Sequence, residues 1–240
     1  DAENQPVAAN AGYAEIRRTY NAFNRVLEER YYGKDTLPAV NTSGVHAILR
    51  TWDTLGQKLS ESYLNAADEP CQSGNSFVKV TYAYDTLGNC ILEKYWDAED
   101  QPVANRSGIT AVQRVYSDKK LLLEESYLDG QGLPTVNTAG VHKIVRTYND
   151  ANLKATEQYF DANDLPCVSG NTFTSVAYTY DSLGNCTQEA YFDANGQPVA
   201  CKAGYAKIQR VYDDLRHLLA EQYMDSDGNP VANANGVSTI

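Results

Sequence analysis

The sequence lacks long apolar runs, runs of basic residues and a signal-peptide pattern. Its 31 acidic and 20 basic side chains give a formal charge of −11, so it has no basic footprint for nucleic acid or an anionic membrane. We therefore expect no nucleic-acid partner and no membrane insertion. Nucleophile-elbow, phosphate-loop and dinucleotide fingerprints are also missing. Cys-x-x-Cys is absent and the three histidines are scattered, so we expect no zinc, no cofactor and no enzyme activity.

Proline is scarce and evenly spaced, which is the most informative feature of the chain. A fixed period of 32 residues without insertion or deletion indicates a tandem-repeat protein. We predict one array over residues 1–240. Its seven repeats begin at Pro6, Pro38, Pro70, Pro102, Pro134, Pro166 and Pro198, and a partial repeat begins at Pro230. Because the sequence has no initiator methionine and starts inside a repeat, we expect a fragment of a longer protein.

Each repeat contains two short β-prone segments. In one repeat the first runs from Tyr205 to Tyr212, and the second ends in Glu-x-Tyr at Tyr223. Both are too short for a typical helix and alternate apolar with polar residues. Turn residues bracket them, as in the Asp-Ala-Asn-Gly that precedes Pro198. The pattern predicts an all-β fold, a tandem-repeat array of β-hairpins forming a solenoid or spiralling antiparallel sheet.

Positions counted from each proline predict how the hairpin pairs. Position 10 is Ile or Val, position 14 is aromatic, position 23 is Glu and position 25 is Tyr. Pairing about the turn predicts position 10 opposite 25, 12 opposite 23, and 14 opposite 21, all on one face. Position 12 is Arg in five repeats and Tyr in two (Tyr82 and Tyr178). Seven equivalent glutamates, mostly facing arginine, indicate a structural ladder, so we assign no catalytic residue.

A longer period overlies the 32-residue repeat. The repeats beginning at Pro70 and Pro166 share 19 of 32 residues, whereas those beginning at Pro70 and Pro102 share 6. The array therefore reads A-B-C-A-B-C-A, with A repeats beginning at Pro6, Pro102 and Pro198, B repeats at Pro38 and Pro134, and C repeats at Pro70 and Pro166. Two interpretations stay open: block duplication without geometric meaning, or three repeats completing one superhelical turn.

Four of the five cysteines lie in the C repeats, at one spacing: Cys71 with Cys90, and Cys167 with Cys186. One interpretation is a disulfide within each C repeat, which implies an oxidising, extracytoplasmic setting. The other is a small buried thiol that was copied with the block. Cys201 is unpaired in either case.

Two further patterns allow a binding role beside a structural one. Acidic turns such as Asp225-Ser226-Asp227-Gly228-Asn229 are similar to calcium loops, but Gly236 stands where an EF-hand needs its bidentate glutamate, so turn chemistry is favoured and no metal site is assigned. Position 26 carries large apolar residues that either stack on a ligand or pack beneath the connecting segment. The candidate stacking aromatics are Tyr32, Trp96, Phe160 and Phe192.

The motif Tyr-Asp-x-x-Gly-Asn, at Tyr84–Asn89 and Tyr180–Asn185, resembles the YD repeats of the RHS family. This resemblance implies β-hairpins in a spiralling sheet of a large bacterial secreted or surface protein. The regular Pro-Val-Ala-Asn-x-x-Gly insertion and the longer unit depart from that family. A weaker resemblance, through Tyr191-Phe192-Asp193-Ala194-Asn195-Gly196, is to choline- or glucan-binding wall repeats.

These patterns together predict a non-enzymatic structural or interaction module of a bacterial surface or secreted protein. Its partners would be the flanking repeats of the parent chain and an unidentified protein or glycan. Two alternatives are a carbohydrate-binding module and a shell segment of an RHS-type toxin.

Overall fold

The computed structural model describes residues 12–170, 172–233 and 236. The first proline of the array, Pro6, and the last position-10 residue, Ile240, lie outside these residues. The chain divides into two compact halves. The first half comprises 1–113 with 128–133, and the second comprises 114–127 with 134–240.

Every described regular element is a β-strand, two per repeat, which confirms the all-β prediction. The described residues contain no helix that is long and apolar enough to cross a membrane. In chain order the strands are β1 Glu15–Tyr20, β2 Val26–Tyr32, β3 Ala47–Trp52, β4 Lys58–Leu64, β5 Lys79–Tyr84, β6 Cys90–Trp96, β7 Ala111–Tyr116, β8 Leu122–Leu128, β9 Lys143–Tyr148, β10 Lys154–Phe160, β11 Ser175–Tyr180, β12 Cys186–Phe192, β13 Lys207–Tyr212 and β14 Leu218–Met224.

Within each half the strands pair antiparallel with their neighbours in sequence. In the first repeat Ile16 lies opposite Tyr31 and Arg18 opposite Glu29, as the column pattern predicts. The second strand of one repeat then pairs with the first strand of the next, so that Glu29 lies opposite Ile48. The position-23 glutamates from Glu29 to Glu189 therefore lie between an Arg or Tyr of their own hairpin and an Ile or Val of the following one.

The predicted pairing of positions 14 and 21 is wrong, because the hairpins β1–β2, β3–β4, β5–β6, β9–β10, β11–β12 and β13–β14 each have an irregularity at this point. Tyr20 lies opposite Val26, position 20, instead of Leu27. The extra residue of a β-bulge shifts all that follows by one position. As a result Leu27, Leu59 and Leu219 of position 21 are 37%, 40% and 60% exposed rather than packed against the aromatic ring.

In most of the described turns at positions 3, 15 and 27, the side chain of the first turn residue accepts hydrogen bonds from the backbone. In the turn that begins at Asp181, its Oδ1 accepts hydrogen bonds from the backbone N–H of Leu183 and Asn185. Asn137 and Asp161 do the same at positions 3 and 27. An Asp or Asn side chain of this kind mimics a backbone turn and fixes the chain reversal.

These turns also place one residue in the left-handed region, usually glycine. Thr36, with φ of 63°, occupies the site that Gly196 fills at 76°. A left-handed conformation costs an L-residue about 1–2 kcal/mol, whereas glycine loses about 0.5–1 kcal/mol more unfolded-chain entropy. We therefore expect Thr36→Gly to raise the free energy of unfolding by about 0.5–1 kcal/mol in urea titrations. Gly196→Thr should lower the free energy of unfolding through backbone conformation alone, since an added Cβ meets nothing within 4 Å. If both variants were as stable as the original chain, this account would be contradicted.

The core consists of columns that run across the strands. Its buried members include most tyrosines of position 25, such as Tyr31 at 5% exposure, several Ile or Val side chains of position 10, such as Val80 at 2%, and residues of position 7, such as Val45 at 1%. Position 7 inserts between successive tyrosines. In the second half this gives the ring series Tyr159, Phe173, Tyr191, Tyr205 and Tyr223, with centroids 4.7–6.0 Å apart. Aromatic pairs at these separations add to the stability that burial provides.

Candidate functional site: the tyrosine–glutamate–arginine network

The face that carries the core tyrosines also carries a charged network, repeated once per hairpin. In every repeat the hydroxyl of the position-25 tyrosine donates to the carboxylate of the position-23 glutamate on the same strand. Six of these hydrogen bonds measure 2.5–3.1 Å. The seventh joins Tyr223 to Glu221. Residues two apart on a strand point to one face, which is why the two columns meet.

Arginine completes the network in the A and B repeats. The guanidinium Nε donates to the position-23 carboxylate across the hairpin at 2.5–2.8 Å. The pairs are Arg18–Glu29, Arg50–Glu61, Arg114–Glu125, Arg146–Glu157 and Arg210–Glu221. The predicted Arg–Glu cross-strand pairs are thus confirmed. Most of these side chains are largely buried, as with Arg50 at 18% and Glu61 at 16% side-chain exposure.

Burial and hydrogen bonding act in opposite directions on the glutamates. Burial raises the pKa of Glu61, but hydrogen bonds from Tyr63, Lys58 and Arg50 and the charge of Lys58 outweigh it, so the pKa lies below its ordinary value. A lowered pKa means stability that is present above the ordinary glutamate value near about 4.3 and is lost as the pH falls through the folded-state value. The Glu61 carboxylate is thus held ionised by its hydrogen-bond donors and the neighbouring lysine.

The C repeats replace the arginine with tyrosine, and a lysine of the preceding B repeat approaches that ring. Lys58 Nζ lies 4.8 Å from the ring centroid of Tyr82 and 3.1 Å from Glu61. Lys154 repeats this arrangement with Tyr178 and Glu157, at the same distances. An ammonium group over an aromatic face is attracted by the ring quadrupole. The replacement at position 12 is thus matched by lysine at position 20 of the neighbour.

A glutamate of a C repeat takes its arginine from the next A repeat. Arg210 Nη1 donates to Glu189 at 2.6 Å while Arg210 Nε donates to Glu221 at 2.6 Å. Cys186, at position 20 of the C repeat, lies 4.0 Å from the same Nη1. Arg146 of a B repeat, by contrast, pairs with Glu157, and its Nη1 is buried without a hydrogen-bond partner. The 96-residue period therefore has meaning in side-chain contacts.

Position 14 joins consecutive repeats by a hydrogen bond to the backbone. The hydroxyl or indole N–H donates to the carbonyl of position 20 in the preceding repeat at 2.8–2.9 Å. The pairs are Trp52–Val26, Tyr84–Lys58, Tyr148–Leu122 and Tyr180–Lys154. The bulge described above exposes this carbonyl to the neighbouring ring, so the irregularity has a structural role.

In each half an open pocket lies over the tyrosine–glutamate rows. One has a volume of about 570 Å³, with Glu61 and Tyr63 in its floor and the loops 41–43 and 73–75 as walls. The other, of about 340 Å³, lies over Glu189 and Tyr191 beside the loop 201–203. The described residues contain no group of three or more His, Cys, Asp or Glu side chains suited to a metal ion.

The structure corrects the disulfide interpretation, since all five cysteines are free. The N–H of Cys71 donates to the carbonyl of Tyr63, whose own N–H donates to Val78 at the start of the next hairpin, whereas Cys90 lies opposite Tyr84 beside the turn. Cys71 therefore lies at the level of Val78 and Cys90 at the level of Tyr84, six residues or about 20 Å farther along the chain. A disulfide needs Cα atoms within about 7 Å of each other. The corresponding pair Cys167 and Cys186 is arranged in the same way.

The candidate stacking aromatics of position 26 are half-buried beneath the connecting segment. Each forms a β-bridge with the proline that opens the next repeat: Tyr32 with Pro38, Trp96 with Pro102, Phe160 with Pro166 and Phe192 with Pro198. Trp96 also donates its indole N–H to Thr81 Oγ1 at 2.8 Å, and the Lys79 ammonium lies 5.6 Å from its ring centroid. These contacts favour packing over ligand stacking.

The acidic turn proposed as the best calcium-loop candidate uses its first carboxylate for the chain reversal. Asp225 Oδ1 accepts from the backbone N–H of Asp227 at 3.0 Å and of Asn229 at 2.8 Å. These hydrogen bonds lower the pKa of Asp225. The arrangement agrees with turn chemistry.

Comparison with known proteins gives similarity only among solved structures. No protein-family model and no curated protein matches the chain. The crystal structure of TcdB2-TccC3-Cdc42 is similar at 11% identity and a TM-score of 0.41, over 93% of this chain and 12% of that one. A Photorhabdus luminescens Tc holotoxin pore is similar at 11% identity and 0.39, over 92% and 11%. The chain spans about one eighth of the length of those proteins.

Proposed function

We propose that the chain is a non-enzymatic structural and interaction module of a bacterial surface or secreted protein. The observation that supports this proposal is the recurrence of one tyrosine–glutamate hydrogen bond in all seven repeats, joined by arginine in five. A catalytic carboxylate needs a distinct environment and a proton partner poised for transfer. Seven carboxylates in one repeated position, each hydrogen-bonded to the tyrosine two residues away, instead form a scaffold that presents its turns and loops to partners.

Equivalent copies should respond equally to the same substitution. Glu61→Gln and Glu157→Gln each remove a charge from matched sites, leaving Arg and Lys less well paired in a largely buried setting. We expect each to lower the free energy of unfolding by about 1–3 kcal/mol. The measurement is urea unfolding followed by circular dichroism, with the exposed turn residue Glu99→Gln as a control near zero.

An enzyme or a dedicated binding site would give a different result. One of the two substitutions would then leave the free energy of unfolding nearly unchanged, because a specialised glutamate is optimised for its ligand rather than for packing. Such an outcome would contradict the scaffold proposal and would direct attention to the deviating repeat.

A shell segment of an RHS-type toxin is the second candidate. It is supported by the position of both Tyr-Asp-x-x-Gly-Asn motifs, which form the hairpin turns between β5 and β6 and between β11 and β12. This candidate predicts a protease-like segment encoded downstream of the repeats in the parent gene. A complete parent gene without such a segment would count against it.

A further inference from the structure

Three junction types occur in the array, and each has its own pair of side chains at position 20 and at position 12 of the next repeat. From A to B the pair is aliphatic with arginine, as in Leu122 and Arg146. From B to C it is lysine with tyrosine, as in Lys154 and Tyr178. From C to A it is cysteine with arginine, as in Cys186 and Arg210.

We propose that these two positions form a pairing code, which makes the open edge of each hairpin an interaction surface for one type of following strand. The edge of a B repeat is the clearest case. Its lysine contacts both the glutamate of its own strand and the tyrosine face of the C repeat. The partner that this edge fits is a first strand with an aromatic residue at position 12, which the following C repeat of the same chain supplies.

Charge explains why the other strand types are rejected. An A- or B-type first strand would bring a guanidinium to the place of the Tyr178 ring, 4.8 Å from the Lys154 ammonium. Two cations at that separation repel, and the lysine is only 33% exposed, so water screens the repulsion incompletely. Specificity then comes from a repulsive element as well as an attractive one.

The edge of a C repeat selects its partner through a small side chain instead of a charged one. The thiol of Cys186 lies beside Arg210 Nη1, which reaches past it to Glu189. A larger side chain such as leucine, which stands at this position in two of the three A repeats, would occupy the space through which the guanidinium passes. The C edge therefore fits a strand that brings arginine, and this arginine supplies the charge partner that Tyr178 cannot give to Glu189.

The test is a double-mutant cycle in the full chain. Tyr178→Arg should lower the folded-to-unfolded ratio at least about tenfold, and Lys154→Leu should lower it less. The double variant reproduces the side-chain pair of an A-to-B junction, so it should recover to within about threefold of Lys154→Leu alone. Thr179→Arg, on the neighbouring exposed position of β11, is the control and should change the ratio about twofold or less.

A reciprocal cycle guards against a variant that fails to fold. Leu122→Lys should destabilise the A-to-B junction against Arg146, and adding Arg146→Tyr should restore part of the loss, less completely because Glu157 then loses its arginine. Hydrogen exchange of β10 and β11 amides gives a local reading of the first cycle. Additive effects in both cycles would overturn the pairing code, whereas coupling of the expected sign in both supports it.

Discussion

Alkaline conditions are expected to unfold the chain in one cooperative step that begins above pH about 10, where free tyrosine ionises. Burial, followed by the neighbouring glutamate, raises the pKa of Tyr31 and of Tyr127 to about 12. The pKa of Tyr63 and of Tyr191 is raised for the same two reasons. These four tyrosines are at most 8% exposed, so each hydroxyl keeps its proton while the chain is folded.

The sign and size of this effect follow from proton linkage. A group whose pKa is higher when folded contributes stability that is complete below its unfolded pKa and is lost as the pH rises toward the folded value. Each tyrosine that ionises only in the unfolded chain costs about 1.4 kcal/mol per pH unit, so four cost roughly 6 kcal/mol per pH unit. Over the two units between pH about 10 and about 12 this amounts to roughly 11 kcal/mol, which is comparable with the about 5–15 kcal/mol that a typical domain has to lose.

The measurement compares tyrosinate absorbance near 295 nm with circular dichroism in one pH titration. We expect the absorbance of the buried tyrosines and the loss of strand signal to change together. Tyr127→Phe should reduce the pH dependence of the unfolding free energy by about 1.4 kcal/mol per unit. Ionisation of the buried rings without loss of β-structure would show that the tyrosine–glutamate hydrogen bonds do not hold these protons.

The second large effect concerns Lys154→Leu, whose effect on the free energy of unfolding should change sign when one repeat is deleted. Removing residues 166–197 joins a B repeat directly to an A repeat, so Lys154 of the first would face Arg210 of the second. In the intact chain Lys154→Leu loses the contacts to Glu157 and Tyr178 and should destabilise by about 1–2 kcal/mol. In the deletion chain the same substitution removes a like-charge contact and should stabilise by a similar amount.

Urea unfolding of four chains measures this inversion: the intact chain and the deletion chain, each with and without the substitution Lys154→Leu. Chain length is matched within each pair, so the general loss of stability from having fewer repeats cancels. A destabilising effect of Lys154→Leu in both backgrounds would mean that repeat order has no energetic consequence at this junction.

The sequence predicted the strands and most of the register, because strict columns 32 residues apart fix which side chains share a face. In a regular hairpin the residue numbers of two paired residues always add up to the same value, and this rule correctly pairs Ile16 with Tyr31 and Arg18 with Glu29. The rule fails at Tyr20, because it assumes two regular strands and the bulge adds one residue to one of them. Position 20 carries a signal that it has a role of its own, because its residue type follows the repeat class: aliphatic in A, lysine in B and cysteine in C repeats.

The cysteines and the position-26 rings show a second limit. The spacing of Cys71 and Cys90 is constant in both C repeats, but a spacing in sequence says nothing about the level at which each residue lies along a strand. Likewise, alternation places Trp96 on the outer face, yet only the β-bridge to Pro102 shows that the connecting segment covers it. Both features depend on the path of the connection, which local patterns do not specify.

Pairing in chain order has a kinetic consequence. Strand neighbours are consecutive in sequence, and even a side-chain contact between repeats such as Arg30–Asp68 spans only 38 residues. Relative contact order for such pairing is on the order of 0.1 in a chain of 240 residues, a value that is typical of helical proteins rather than β-sandwiches. Each hairpin can therefore fold soon after it leaves the ribosome, and its second strand then pairs with the first strand of the next repeat. An all-β protein built in this way avoids the slow search for distant strands, and with it the long exposure of unpaired edges during synthesis.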